Sequence, residues 1–279
     1  MSSSTEKRSY HRVLTIATSD SGGGAGIQAD LKTFSAMGCY GMSALAALTA
    51  QNTHEVRGIH ALPPEYVALQ IDTVVEDLGV NAVKIGMLFN QRIMEAVADR
   101  LSFHDIERVV LDPVMVSQSG AKLIEDDAVE VLKHTLFPLS AMITPNLPEA
   151  ETLLGIEIEN RSKMEQAARS LLRFGSGSVL LKGGHFDDEQ SLDCLVLQEP
   201  DEQGRDIYWY EAERVATDNT HGTGCTLSSA IASGLAKGKT WPEAVDNAKT
   251  YITGAIAAGS RYDIGKGGGP LHHFYQFWD

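Results

Sequence analysis

Apolar residues follow two periods along this chain, and the periods alternate. Residues 13–17 form a short apolar run that ends in a cluster of glycines. Beyond it Ile27, Leu31 and Phe34 fall at i, i+4 and i+7, one face of a helix. Residues 43–48 form a second apolar run. Val67, Ile71, Val74 and Leu78 then repeat at helical spacing behind Pro63 and Pro64. The order recurs, with 82–85 ahead of a helix through Ile93, Val97 and Leu101. In the same way 109–111 precedes a helix through Val129, Leu132 and Leu136. Met142 and Ile143, and then 178–181, read as further strands. This alternation predicts βαβ units and a largely parallel sheet flanked by helices, in one α/β domain over 1–279 with 1–11 as a flexible N-terminus. Between 191 and 215 the pattern changes. There 192–197 and 207–210 flank a polar loop at Gly204 and predict a short antiparallel addition. Helices over 224–236 and 242–258 follow.

Composition narrows the function classes. The 279 residues are 43% hydrophobic and 22% charged, which excludes a disordered or fibrous chain. Lys and Arg number 23 against 37 Asp and Glu, a net charge of −14 that repels nucleic acid and anionic lipid. Cys39, Cys194 and Cys225 form no CxxC pair and are odd in number, which points to a reducing compartment, the cytoplasm. The first twelve residues have no apolar signal-peptide stretch, and no run of 18 apolar residues occurs.

The unusual polar residues cluster where predicted strands end: 20–26, Gly86-Met87, Asp112-Pro113, Asn146 and 182–185. In an open parallel sheet that is where ligands bind. Gly24-Ala25-Gly26-Ile27-Gln28-Ala29 fits the dinucleotide pattern G-x-G-x-x-A, but the acidic residue wanted about 20 positions later is missing. A glycine turn around another small ligand, or a structural turn, explains it better. The stretch 234–240 is one residue short of a phosphate-binding loop and ends a helix instead of starting one.

Thr220-His221-Gly222-Thr223-Gly224-Cys225 precedes a helix, and its glycines let backbone N–H groups converge at the positive helix end. That makes an anion hole for a transferring phosphoryl group, with Cys225 in the first turn where a thiol pKa is lowered. A capped helix with a buried cysteine would look the same. Asp112 and Glu149 offer oxygens suited to Mg²⁺, and Asn146 with Glu149 would equally cap a helix. Lys182 at a strand end suits a phosphate. Gln51, after a strand, has the donor and acceptor to read a ring edge. His272-His273 lacks the neighbours of a zinc site.

These motifs together resemble a known family. The stretches 19–34, 47–53, 84–87, 111–115, 144–151, 181–185, 219–225 and 267–274 resemble, in order, the hydroxymethylpyrimidine/phosphomethylpyrimidine kinases of thiamine biosynthesis. The resemblance implies a ribokinase-like fold, ATP with Mg²⁺, and commonly a homodimer. It implies two successive phosphorylations of 4-amino-5-hydroxymethyl-2-methylpyrimidine. Carried over by position, Gln51 reads the aminopyrimidine edge, and Asp30, Met87 and Val114 line the pyrimidine pocket. Gly222, Thr223, Gly224 and Cys225 form the anion hole, Lys182 and Thr220 meet ATP, and Asp112 and Glu149 organise Mg²⁺. Cys225 stands where ribokinase relatives usually have Asp, and its thiolate would accept the hydroxymethyl proton. Pyridoxal kinase is the alternative on the same fold, and Gln51 favours the pyrimidine. The missing ribose carboxylate argues against an NAD oxidoreductase, and the intact polar set argues against a ligand sensor. The stretches 116–122 and 186–190 are candidates to close over the site, and 265–269 is placed near the adenine.

Overall fold

The computed structural model describes residues 8–115, 128–184 and 190–279. Among these, nine strands pair into one sheet. They are β1 (Arg12–Asp20), β2 (Tyr40–Gln51), β3 (Val56–Ala61), β4 (Ala82–Ile85) and β5 (Val109–Leu111), followed by β6 (Met142–Ile143), β7 (Ser178–Lys182), β8 (Gln190–Leu197) and β9 (Ile207–Glu213). Their order is β3-β2-β1-β4-β5-β6-β7-β8-β9. β2, β1, β4, β5, β6 and β7 run parallel. β8 and β9 add antiparallel, as the change of pattern near 191–215 predicts. β3 makes a further antiparallel pair, with β2, at the opposite edge. Its Gly58 and half-exposed residues leave little alternation to read.

Strand side chains alternate in direction, so one strand feeds two cores. Leu14 and Ile16, Val83 and Ile85, and Val109 and Leu111 face one layer. That layer holds α2 (Pro64–Leu78), α3 (Gln91–Phe103), α4 (Ala128–Val131, continued by wide and tight turns to Leu139), α5 (Leu147–Leu154) and α6 (Arg161–Leu172). Val13, Ala82, Val110 and Leu180 face the other. That side is covered by α1 (Gly26–Ala36), α7 (Thr223–Ala236) and α8 (Trp241–Gly259). With both faces covered, these strands read as continuous apolar runs.

The parallel arrangement brings Asp20, Gln51, Met87, Asp112, Asn146 and Lys182 to one edge of the sheet, at or just beyond the carboxyl ends of six strands. The strand order changes direction at β1, a switch point that opens a crevice there. The stretches expected to close over the site, 116–122 and 186–190, lie outside the described residues except for Gln190, which begins β8, and so do residues 1–7. Among the described residues no helix is long and apolar enough to cross a membrane.

Candidate active site

A cavity of about 750 Å³ lies across this edge. Every candidate catalytic, substrate-binding, ATP-binding and metal residue carried over from the resemblance lines it except Asp30. Gln51, Met87 and Val114 line it together with Thr49 and Asp20. Gln51 Oε1 lies 3.2 Å from Thr49 Oγ1, and its Nε2 lies 3.4 Å from His221 Nε2.

Asp20 organises the glycine turn beside them. Its Oδ1 accepts from Gly22 N–H at 2.8 Å, and its Oδ2 accepts from Gly24 and Ala25 N–H at 3.1 and 2.8 Å. His221 Nε2 lies 2.9 Å from the same Oδ2. Burial works against this charge. The His221 contact and the backbone donors outweigh it and hold the Asp20 carboxyl below its usual range. The glycine turn is therefore built around a carboxylate of this chain, with no dinucleotide fingerprint needed to explain it.

The start of α7 faces the centre of the cavity. Gly222 is its N-cap at φ 87°, and a Cβ there would lie 1.9 Å from the Gly24 carbonyl oxygen. Only glycine lets this loop dock on the turn that Asp20 holds. Thr223 spends its N–H and its hydroxyl on the Thr220 carbonyl, at 3.2 and 2.7 Å, so it closes the turn. Among the described residues, the N–H groups of Gly224 and Cys225 have no acceptor on the protein. They are the first-turn donors left for an anion.

Opposite them, Lys182 Nζ donates to Asp112 Oδ1 at 2.8 Å, and Thr144 donates to the same oxygen at 3.1 Å. A Cβ on Gly224 would stand 3.3 Å from Asp112 Oδ2 and 3.4 Å from Lys182 Nζ, so helix start, carboxylate and ammonium meet. Burial opposes the Lys182 charge, but Asp112 and Glu149 outweigh it and raise its pKa. Asn146 and Glu149 form a full capping box on α5, at 2.8 Å in both directions, and Glu149 still lines the cavity. The two readings of this pair are thus compatible. Glu149 is 8% exposed. Burial pushes its carboxyl up to about 7; Lys182 opposes this and Asp112 adds to it.

Three expectations are corrected. Asp30 is fully buried and does not line the cavity, and its carboxylate is fully occupied by this chain. Oδ1 accepts from Lys84 Nζ at 2.9 Å and Ser229 at 2.7 Å, and Oδ2 accepts from Thr15 at 2.6 Å and from Lys84 at 3.0 Å. Both Asp30 and Lys84 are 0% exposed. The Cys225 thiol is raised, not lowered. Burial pushes it up to about 11 against the pull of Lys84, and Asp30 and Asp112 push the same way. Gly265–Gly269 does not line the cavity either. It is pinned between Thr53 Oγ1, which accepts from Gly267 N–H at 3.2 Å, and Asn219 Oδ1, which accepts from Gly269 N–H at 3.1 Å.

The donor chemistry fits Mg²⁺. Among the described residues the lining carries five carboxylates (Asp20, Asp112, Glu149, Asp193, Glu213) against four cations (Lys84, Lys182, Arg214, Lys249), so a polyphosphate there gains from added positive charge. Asp112 and Glu149 supply hard oxygens in the same region. Among the described residues no group of three metal-binding side chains forms.

The model of the phosphomethylpyrimidine kinase family matches residues 20–272. The chain belongs to that family. It is 47% identical over 266 residues to the hydroxymethylpyrimidine/phosphomethylpyrimidine kinase of Escherichia coli K12, covering 95% of this chain and 98% of that one. A phosphomethylpyrimidine kinase structure from Clostridium difficile 630 superposes with a TM-score of 0.77 at 45% identity, over 88% of this chain and 99% of that one. An ADP complex of Bacillus subtilis pyridoxal kinase superposes with a TM-score of 0.85 at 35% identity, over 96% and 99%. The ribokinase-like sheet and the phosphotransferase class stand on these matches. Asp20, Lys84, Asp193, His221 and Lys249 also line the cavity and escape motif reading. Asp20 and His221 do sit inside the motifs that the sequence displays, but nothing local says that they pair across 201 residues.

Proposed function

We propose that this family member transfers the γ-phosphoryl group of ATP to the hydroxymethyl oxygen of 4-amino-5-hydroxymethyl-2-methylpyrimidine. It then phosphorylates the monophosphate to the diphosphate, a step of thiamine biosynthesis. The observation that carries this is the single cavity joining Gln51 to the free N–H groups of Gly224 and Cys225. One end reads a ring and the centre holds an anion.

In this reading the Gln51 amide matches the acceptor and donor of the aminopyrimidine edge, and Met87 and Val114 cover the ring faces. Gly224 and Cys225 N–H groups and Lys182 hold the equatorial oxygens of the phosphoryl group in flight. Gly222 and Thr223 shape that turn. Asp112 and Glu149 would hold Mg²⁺ and its waters, and the ion supplies charge neutralisation on the phosphates. Thr220 lies on the ATP side. A thiol raised to about 11 is protonated at neutral pH, so Cys225 is no standing base. It places the alcohol, and a loose phosphoryl transfer asks little of a base. The protein acts in the cytoplasm as a homodimer.

A coupled ATPase assay with Mg²⁺, offering the hydroxymethylpyrimidine and pyridoxal in parallel with products read by mass spectrometry, tests this. Mono- and then diphosphorylated pyrimidine is the expected result. Pyridoxal phosphate without a pyrimidine diphosphate overturns it in favour of a pyridoxal kinase.

A further inference from the structure

We propose that Lys249, held in place by Asp193, binds the ribose–α-phosphate segment of the nucleotide and so sets the affinity for ATP. The inference rests on the ATP-dependent reading above and names a residue pair for its nucleotide end.

The placement follows from α8. Lys249, Ile252, Thr253 and Ile256 all line the cavity, and their i, i+3, i+4, i+7 spacing makes them one stripe of that helix. The stripe is charged at Lys249 and apolar at Ile252 and Ile256, with seven residues of helix, roughly 10 Å, between its ends. Leu227 of α7 belongs to the same apolar cluster as Ile252, with Ile256 packed against it. This end of the cavity therefore suits a flat apolar ring.

The charged end is tied to the phosphate centre. Lys249 Nζ donates to Asp193 Oδ2 at 2.7 Å, and Asp193 Oδ1 accepts from Gly183 N–H at 3.0 Å. Asp193 is the cross-strand partner of Lys182 in the β7–β8 ladder. One carboxylate thus fixes both Lys249 and the turn directly after Lys182. Lys249 is 12% exposed, and an ammonium has three donors, of which Asp193 takes one. Among the described residues the other two meet no acceptor, and they are open to a ligand oxygen lying between Lys182 and the apolar stripe. A ligand with a polyphosphate at one end and a flat ring at the other has its sugar and first phosphate there. The pyrimidine alcohol is assigned to Gln51 at the end of β2, on a different element from Lys249 on α8.

The test compares Lys249→Met, Lys249→Arg and Asp193→Asn with the wild type. ADP binding is measured by calorimetry without pyrimidine, and KM and kcat are measured for both substrates. Loss of one charge-assisted contact is expected to weaken ADP and raise the ATP KM about tenfold in Lys249→Met. The pyrimidine KM stays within a factor of about two. Lys249→Arg recovers most of the loss, and Asp193→Asn falls between the two. Unchanged ADP affinity in Lys249→Met, with the wild type binding ADP, overturns the inference and leaves the kinase reading intact. An equal rise in both KM values with a lowered unfolding midpoint also overturns it, in favour of a purely structural pair. A wild-type protein that binds no ADP overturns the kinase reading itself.

Discussion

A cysteine in the first turn of a helix normally gains acidity from the backbone dipole. Cys225 does not, because the same turn is packed over a buried floor, where desolvation favours the neutral thiol more than Lys84 favours the thiolate. At every pH below about 11 its thiolate fraction is smaller than that of an unperturbed thiol near 9. Iodoacetamide at pH 7.5 is therefore expected to alkylate Cys225 more slowly than free cysteine, as peptide mass spectrometry will read. Faster alkylation would restore the base role. Glu149 gives a second consequence of burial. Its folded pKa, about 7, lies above the reference 4.5, so the folded chain holds the proton more tightly between those values. Folding stability contributed by this group is present below 4.5 and is lost as pH rises through 7. In EDTA, Glu149→Gln should lose less of its unfolding midpoint between pH 5 and pH 8 than the wild type. Equal losses would show that Glu149 does not titrate in that window.

Individual elements show where local pattern suffices and where it does not. The first turn of α7, with the donors proposed to hold the phosphoryl group, is placed by the loop before it, which lies against the glycine turn of residues 22–26. Gly222→Ala forces a Cβ into the Gly24 carbonyl oxygen and takes a left-handed φ away from glycine, a strain of about 1–3 kcal/mol if absorbed locally. The expected result is a fall in kcat of about a hundredfold or more, since 1 Å of misplacement at a reacting centre has that scale. The unfolding midpoint moves only modestly. Activity near wild type would show that the loop docks without Gly222. α6 escapes the apolar reading because its buried face includes Ala167 and Ala168 beside Met164, Leu171 and Leu172, among many charged residues. β3 escapes because an edge strand needs only one apolar face and has Gly58 in it.

At the scale of the whole molecule, one cavity is assembled from both helical layers. Asp112, Asn146 and Lys182 come from strand ends, Glu149 from α5, Gly224 from α7 and Lys249 from α8. A ligand spanning these elements that binds only the folded state stabilises it in proportion to the logarithm of its concentration once well above its dissociation constant, by about 2.7 kcal/mol at a hundred times that constant. ADP with Mg²⁺ is expected to raise the unfolding midpoint by several degrees, and EDTA to remove most of that shift. A shift indifferent to EDTA would count against an ion at Asp112 and Glu149.

The alternation of periods was enough to imply the parallel sheet, because strands buried on both faces need long apolar runs and the helices between them need an apolar stripe. The strand-end motifs were enough to pick out the lining at the carboxyl ends of the parallel strands, since a parallel sheet brings those ends together whatever the details of packing, but not the part that β9 and α8 contribute. Burial and pairing were decided only in three dimensions. Asp30 meets Lys84 across 54 residues, and His221 meets Asp20 across 201. Lys249 meets Asp193 across 56. No local pattern encodes such partners. Whether a carboxylate faces a ligand or a buried ammonium, and whether a thiol is acidic, depends on what the fold stacks against it and how much water it leaves there.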